Sequence, residues 1–301
     1  MKKLKLIYNP NSGDKSFPDF LDEVIHVFHK KGYETHVFRS LERGDIAAHV
    51  LEMPHDYYDR IVVSGGDGTL NSVVNALIEA ELDIPIGIIP AGTANDMSSY
   101  LEIPRDFEKA AGIAASDNIC RADVGQVSGE SGSKYFINVC SAGLLTGVSQ
   151  SMETGLKNTL GKLAYYIKGL EQIPNFIPLD VRVTNSEETF EEKIYLFLVL
   201  NSAGTGGFPR ISPEASITDG LFDFVAIKAR PIHEIAVLFI KLLAGDITND
   251  SNVVHFRDSY IKIEPLFDDV QYRKTDVDGE PSPDMPVEII NLPGKIRLVL
   301  P

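Results

Sequence analysis

The sequence predicts an α/β domain built on a doubly wound parallel sheet, followed by a largely antiparallel β domain. Short apolar runs alternate with apolar residues at helical spacing through the first part of the chain, the pattern of repeated β-α units. Two of those runs end in polar, glycine-rich turns, as strands of open parallel sheets do where ligands bind. Beyond Arg121-Ala122-Asp123-Val124-Gly125 the apolar runs are separated by turn residues, with few long helices between them. With 301 residues, 44% of them hydrophobic, two domains with cores of their own are expected. The boundary is placed near Gly125.

Leu4-Lys5-Leu6-Ile7-Tyr8 reads as the first strand and runs into Asn9-Pro10-Asn11-Ser12-Gly13. Short hydrogen-bonding side chains at the carboxyl end of a parallel strand suit a ligand, although an ordinary surface turn uses the same residues. Phe20, Val24, Val27 and Phe28 then mark a helix, and residues 34–38 a second strand. Ser40 stands just beyond it, where a hydroxyl can meet a nucleotide. Residues 46–51 suggest another helix before the buried strand at 61–63.

That strand passes through Ser64-Gly65-Gly66-Asp67-Gly68-Thr69 into a helix traced by Leu70, Val73, Val74 and Leu77. Glycines admit a ligand where a Cβ would block it. The helix start adds free N–H groups and a positive dipole end, so the turn is an anion site suited to a nucleotide phosphate. Asp67 would repel phosphate unless it works through a cation, which implies Mg²⁺ or a bound proton. The competing reading is a tight turn in which Asp67 caps the helix. Neither G-x-x-x-x-G-K-[ST] nor G-x-G-x-x-G is present. The next strand, 84–89, opens into Pro90-Ala91-Gly92-Thr93-Ala94-Asn95-Asp96. Two such loops at successive strand ends face one edge of a parallel sheet and can line one cleft.

Composition excludes several classes. A net charge of −15 argues against a nucleic-acid groove and against general adhesion to anionic membranes. The two cysteines, Cys120 and Cys140, make no disulfide framework and no zinc quartet, which fits a reducing cytosol, and each reads as a small buried apolar residue. Met1-Lys2-Lys3 leads only into a short apolar run, not a signal peptide, and no window approaches the ~18 apolar residues of a membrane span. Any membrane contact is therefore expected to be peripheral.

Asn9-Pro10-Asn11-Ser12-Gly13, Gly65-Gly66-Asp67-Gly68-Thr69 and the 90–96 loop resemble, in order and spacing, the three amino-terminal motifs of the diacylglycerol-kinase catalytic domain of bacterial lipid kinases. The soluble bacterial diacylglycerol kinases are the nearest match in pattern, and the resemblance runs on to Pro301. The second motif is shared with NAD kinases and, loosely, phosphofructokinases; the third discriminates. The resemblance implies an NAD-kinase/diacylglycerol-kinase-like fold, an α/β nucleotide-binding domain followed by a β-sandwich. Residues 1–125, with a carboxyl-terminal tail of about 287–301 returning to them, would bind ATP, and 126–286 would form the lipid-substrate sandwich.

The second half supports this change of architecture with strands at 134–139, 179–184, 194–200 and 222–227. Leu156, Leu160, Leu163, Ile167 and Leu170, with Lys157, Lys162 and Lys168, trace a helix. It reads either as a basic amphipathic element at the mouth of a lipid site or, more simply, as a helix packed on the sandwich. Ser141-Ala142-Gly143-Leu144-Leu145-Thr146 departs from the Gly-x-Gly-x-Asp-Ala often found in the family, which bears on acceptor specificity more than on catalysis. Residues 201–208 and 213–221 are glycine-rich loops. By resemblance the second is the family's structural magnesium loop, with the Asp219 carboxylate and the Ser216 and Leu221 carbonyls as ligands, whereas Asp219-Gly220 alone reads as a turn. In Asp276-Val277-Asp278-Gly279-Glu280, Asp278-Gly279 reads as a hairpin turn and Glu280 as its flank. Resemblance aligns Glu280 with the family's general base. The seven histidines, among them His26, His29, His233 and His255, are treated as surface or core residues.

Together these readings imply an ATP- and Mg²⁺-dependent lipid kinase acting on a lipid hydroxyl, with conversion of diacylglycerol to phosphatidic acid as the leading case. Asn9, Pro10, Asn11, Ser12, Gly13, Ser40, Gly66, Asp67, Gly68, Thr69, Leu70, Asn71, Ser72 and Thr93 would hold ATP. Asp67, Asp96 and Asp123 would position Mg²⁺ directly or through water, and Glu280 would be the base. The protein would be cytoplasmic, touching the bilayer transiently for its lipid, with no nucleic-acid partner; its oligomeric state is left open, a homodimer included. An NAD kinase-like phosphotransferase is the first alternative, disfavoured by the 90–96 loop. A non-catalytic nucleotide-binding regulator is the second, disfavoured by Asp67, Asp96 and Glu280 occurring together.

Overall fold

The computed structural model describes residues 1–143, 177–208, 210–231, 234–235, 237–238, 241–242 and 247–301. Strands β1 (Lys2–Tyr8), β2 (Tyr33–Arg39), β3 (Arg60–Gly65) and β4 (Ile86–Pro90) form a parallel sheet in the order β2-β1-β3-β4. Helices α1 (Leu21–Lys30), α2 (Asp45–Leu51) and α3 (Asp67–Glu79) connect them, and α4 (Asp96–Tyr100) and α5 (Phe107–Ala114) follow β4. Every residue of β3 and β4 is buried, as in strands covered on both faces. In α1, Val24 and Phe28 are one turn apart and both fully enclosed, which is why apolar spacing revealed this helix. The sequence reading has no counterpart to α5. It packs small residues, Ala110, Ala111 and Ala114, and β4 meets it at Gly87, where a Cβ would lie 2.6 Å from the Ala114 Cβ.

From β5 (Ile119–Gly129) onward the pairing among the later strands is antiparallel. These strands are β6 (Gly132–Phe136), β7 (Val139–Gly143), β8 (Leu179–Thr184), β9 (Thr189–Leu200), β10 (Phe222–Lys228), β11 (Val253–Asp258), β12 (Tyr260–Pro265), β13 (Thr275–Val277), β14 (Glu280–Pro281) and β15 (Val287–Val299). They build the expected β-sandwich. Phe136 stacks on Phe222 and Phe224 on both Phe197 and Phe256 in its interior. Strand β9 is covered on both faces: Phe197 and Val199 enter this core, while Leu196, Leu198 and Leu200 join a second one with Ile211, Val225, Leu238 and Val253. Such a strand reads in sequence as a continuous apolar run, with no alternation.

One strand expectation is corrected. Residues 134–139 form not one strand but the end of β6 and the start of β7, interrupted at Ile137-Asn138. The Asp278 carboxylate draws the N–H groups of Ile137, Asn138 and Val139 to itself at 2.9, 3.0 and 2.9 Å, and they are lost to a continuous ladder.

Strand β15 spans both halves. Its first residues pair with β12 and its length pairs with β5, with a register break between Leu292 and Ile296; Leu298 lies beside Ile86 of β4. The two largest cores change over along β5, Ala122 and Val124 belonging to the parallel-sheet side and Val127 to the sandwich. The helix read at 156–170, the segment Leu144-Leu145-Thr146 and His233 lie outside the described residues. Among the described residues no helix is long and apolar enough to cross a membrane.

Candidate active site

The carboxyl ends of β1, β3 and β4 bring the Asn9–Gly13, Gly65–Thr69 and Pro90–Asp96 loops together, and backbone atoms make the contacts. Asn9 N donates to Ser64 O at 3.0 Å, while Ala91 N and Gly92 N both donate to Gly65 O, at 3.0 and 3.1 Å. A Cβ on Gly92 would stand 2.3 Å from Gly66 Cα, and one on Gly13 2.3 Å from Ala91 O. At Gly92 glycine is required for close approach alone, while Gly13 also takes a left-handed φ of 56°. Each loop is also closed on itself. Asn9 Oδ1 accepts from Asn11 N at 2.9 Å, and Asn95, at φ 54°, exchanges bonds of 2.8 and 2.7 Å with Gly92. Pro10 is buried, Ser12 half-buried, and Asn11 and Thr93 are exposed on the rim.

Asp67, Asp96 and Asp278 lie near one another at this rim, and they and Asp123 of β5 differ in how their charge is met. Asp67 opens α3 and accepts a long bond, 3.4 Å, from Met97 N. Burial, with Asp96 and Asp278 nearby, pushes its carboxyl up to about 6. Asp96 opens α4 and is well supplied: Gly206 N donates at 2.7 Å, Gly207 N at 3.2 Å and Thr205 Oγ1 at 3.3 Å, so it clasps the glycine loop of the sandwich. Asp123 accepts from Gly220 N and Gly294 N, both at 2.7 Å, tying the 217–220 turn to the break in β15. Asp278 adds Asn71 Nδ2 at 2.7 Å to its three backbone donors, yet burial still raises it. Asp67 is thus the carboxylate whose charge is least compensated. Among the described residues no three acidic, histidine or cysteine groups converge as a cage for a metal ion, so what this site offers Mg²⁺ is the single buried, weakly compensated carboxylate of Asp67.

The remaining residues of the expected nucleotide set divide. Gly66 and Gly68 line the turn itself. Leu70 and Thr69 are buried; Ser72 Oγ donates to Gly68 O at 2.9 Å within the helix. Asn71 spends its amide on Asp278 and on Tyr135 O, 3.0 Å away. Ser40 Oγ donates to Asp45 at 2.9 Å and shapes the turn after β2. These side chains hold the frame of the cleft.

Glu280 comes to the same cleft from the far end of the chain. Its hairpin has Asp278 at φ 50° and Gly279 at φ 82°, the left-handed pair of a tight two-residue turn. The turn aims Glu280 at the start of α3: a Cβ on Gly68 would lie 3.5 Å from its Oε1, and its Oε2 accepts from Arg43 at 2.5 Å. Behind it Asp276 is buried, accepts from Ser141 Oγ at 3.0 Å, and is pushed up to about 6 by its burial.

Ser216, Asp219 and Leu221 share one turn away from this cleft. Asp219 pairs with Arg257 and accepts from Leu221 N at 3.0 Å. Arg257 also reaches Asp223, 3.3 Å away, which accepts from Ser212 Oγ at 2.6 Å and meets His255 Nε2 at 3.0 Å. The charge of this loop is already met by a guanidinium, so these residues do not fit a dication as folded. Sequence reasoning missed this cluster, along with Arg43 and the tie made by Asp278. His255 and Arg257 project from β11 at positions without any local motif, and Asp278 looks like any hairpin aspartate.

The profile of the diacylglycerol kinase catalytic domain matches residues 3–127, and that of the YegS C-terminal NAD kinase beta sandwich-like domain matches residues 138–300. A diacylglycerol kinase of Bacillus subtilis is 34% identical over 302 residues, covering 100% of this chain and 97% of that protein. One of Staphylococcus carnosus is 31% identical over 300 residues, covering 100% and 95%. A crystal structure from Bacillus anthracis, described as a candidate diacylglycerol kinase, superposes with a TM-score of 0.82 at 26% identity over 100% of this chain and 97% of that one. With both halves matched by profile and the full length matched by relatives, the chain belongs to the diacylglycerol kinase family of lipid kinases, phosphotransferases with an alcohol acceptor.

Proposed function

We propose that this enzyme transfers the γ-phosphoryl group of ATP to the free hydroxyl of diacylglycerol, using Mg²⁺ and giving phosphatidic acid. The observation that carries this reading is the placement of Asp67, a buried and poorly compensated carboxylate at the start of α3, with Glu280 facing the same turn from the sandwich. Asn9 to Gly13, the Gly66–Thr69 turn and Thr93 would receive the nucleotide, their backbone N–H groups and the α3 start meeting its phosphates. Asp67 would hold Mg²⁺, which neutralises phosphate charge when bound; Asp96 holds the 205–207 loop at the start of α4, and Asp123 ties the 217–220 turn to β15. Glu280 takes the proton of the acceptor hydroxyl. Phosphoryl transfer needs alignment and charge neutralisation more than covalent chemistry, and the cleft offers both. The division into residues 1–125 with a returning tail and 126–286, a cytoplasmic location and transient contact with the bilayer complete the proposal.

The experiment offers purified enzyme radiolabelled ATP with Mg²⁺ and, in separate reactions, dispersed diacylglycerol, extracted membrane lipids and NAD. Labelled phosphatidic acid is expected. Label on NAD alone, or ATP binding with no labelled lipid in any reaction, would overturn the assignment.

A further inference from the structure

Glu280 is held from two sides, and only one of them follows from a role as base. Its Oε1 faces the first turn of α3 beside Gly68, while its Oε2 is gripped by Arg43 Nη2 at 2.5 Å. The two residues are 237 positions apart, Arg43 in the turn after β2 and Glu280 on the β13–β14 hairpin. The Arg43 turn is built. Asp45 collects Ser40 Oγ at 2.9 Å, Leu41 N at 2.5 Å and Glu42 N at 3.2 Å, and Gly44 turns the chain at φ 93°. Lys134 Nζ stands close by, donating to Pro281 O at 2.7 Å.

The Arg43 side chain is 84% exposed, so this pair adds little to folding. What it does is place a carboxylate between a helix start and a guanidinium, two groups that recognise anions. A phosphate oxygen is an anion that the same two groups could receive. A guanidinium binds phosphate through two parallel hydrogen bonds and so competes well for it against a carboxylate.

We propose that Arg43 is a positioning residue that exchanges partners: it holds Glu280 while the nucleotide site is empty and turns to the donor's phosphates when they arrive, leaving Oε2 open to the acceptor hydroxyl. This rests on the lipid-kinase reading above. In the transfer the hydroxyl proton passes to Glu280 as its oxygen bonds to the γ-phosphorus. The bond from that phosphorus to the β–γ bridging oxygen breaks, and its electron pair leaves on ADP. Arg43 takes part in none of these bonds; its exchange removes a counter-ion from the base when phosphate charge enters the cleft.

A double-mutant cycle on the full chain tests this by equilibrium binding of a non-hydrolysable ATP analogue with Mg²⁺, with melting temperature recorded alongside. Arg43→Ala is expected to weaken binding about tenfold, and Glu280→Gln to tighten it about threefold because the competitor for the guanidinium is gone. In the Arg43→Ala background, Glu280→Gln should change nothing, and Arg43→Lys should recover part of the lost affinity. A merely structural Arg43 would lower the melting temperature without this coupling. If the parent binds the analogue and phosphorylates diacylglycerol, yet Glu280→Gln has the same effect with and without Arg43, the exchange is refuted and the kinase reading stands. If the parent binds no analogue, the kinase reading fails and the exchange falls with it.

Discussion

Asp67 and Asp96 occupy equivalent places, each the first residue of a helix after a glycine loop, yet only Asp96 is met by close donors from the sandwich. The consequence for Asp67 is a carboxyl raised from its ordinary 3.8 to about 6. The folded state then keeps a proton that the unfolded chain has released, so the stability tied to this group is full below pH 3.8 and is lost as pH rises to about 6. Above that, an uncompensated charge stays buried. Asp67→Asn should therefore raise stability by about 1–2 kcal/mol at pH 8 without Mg²⁺, and by little at pH 4. It should also remove most turnover. Thermal melts at the two pH values check the first claim, and an equal effect at both would refute it. Glu280→Gln should lower kcat on diacylglycerol by ~10²–10⁴-fold, the usual worth of a positioned acid–base group. A kinetic comparison with unchanged kcat would remove Glu280 from the role of base.

The three loops of the cleft work as an element because their backbones touch. Gly92 has no positive φ to explain it, but a Cβ there would collide with Gly66 Cα at 2.3 Å, backbone against backbone. Gly92→Ala should cost about 1–3 kcal/mol, as overpacked sites do, and spread the loops enough to weaken nucleotide binding. Gly112 in α5 is the contrasting case, since nothing lies within 4 Å of a Cβ there. Gly112→Ala should stabilise by roughly 0.4–1 kcal/mol through helix propensity and the unfolded state. Melting curves and analogue binding on the two variants distinguish a contact requirement from a general glycine effect. The sequence pointed to the glycine loops but not to which glycine is needed for approach, because that depends on a neighbour 26 residues away.

At the scale of the whole molecule, β15 joins the two cores in one covalent strand. Its start, Val287 and Ile289, lies in the sandwich, while Ile296 and Leu298 lie in the parallel-sheet core. Deleting residues 296–301 would remove Ile296, Leu298 and Val299, all buried. At about 1.5–3 kcal/mol for each large buried side chain, this loss approaches the ~5–15 kcal/mol by which domains are stable. The truncated chain should melt far below the parent and lose nucleotide binding even though no cleft residue is removed. A melting temperature within a few degrees of the parent would show that the last strand is dispensable.

Local sequence determined the parallel-sheet half and the glycine loops, because a buried strand, a turn and an amphipathic helix each leave a periodic trace in consecutive residues. It also determined the hairpin at Asp278-Gly279, whose two left-handed residues are a local requirement. Tertiary structure alone decided what each carboxylate does. Asp67, Asp96, Asp123 and Asp278 look alike in sequence, and their roles follow from donors supplied by segments far along the chain: Gly206, Gly294 and the 137–139 turn. It alone decided that Arg43 meets Glu280 and that Arg257 neutralises Asp219. The physical reason is that hydrophobic periodicity is a property of neighbours, whereas the compensation of a charge is a property of whatever the fold brings within about 3 Å.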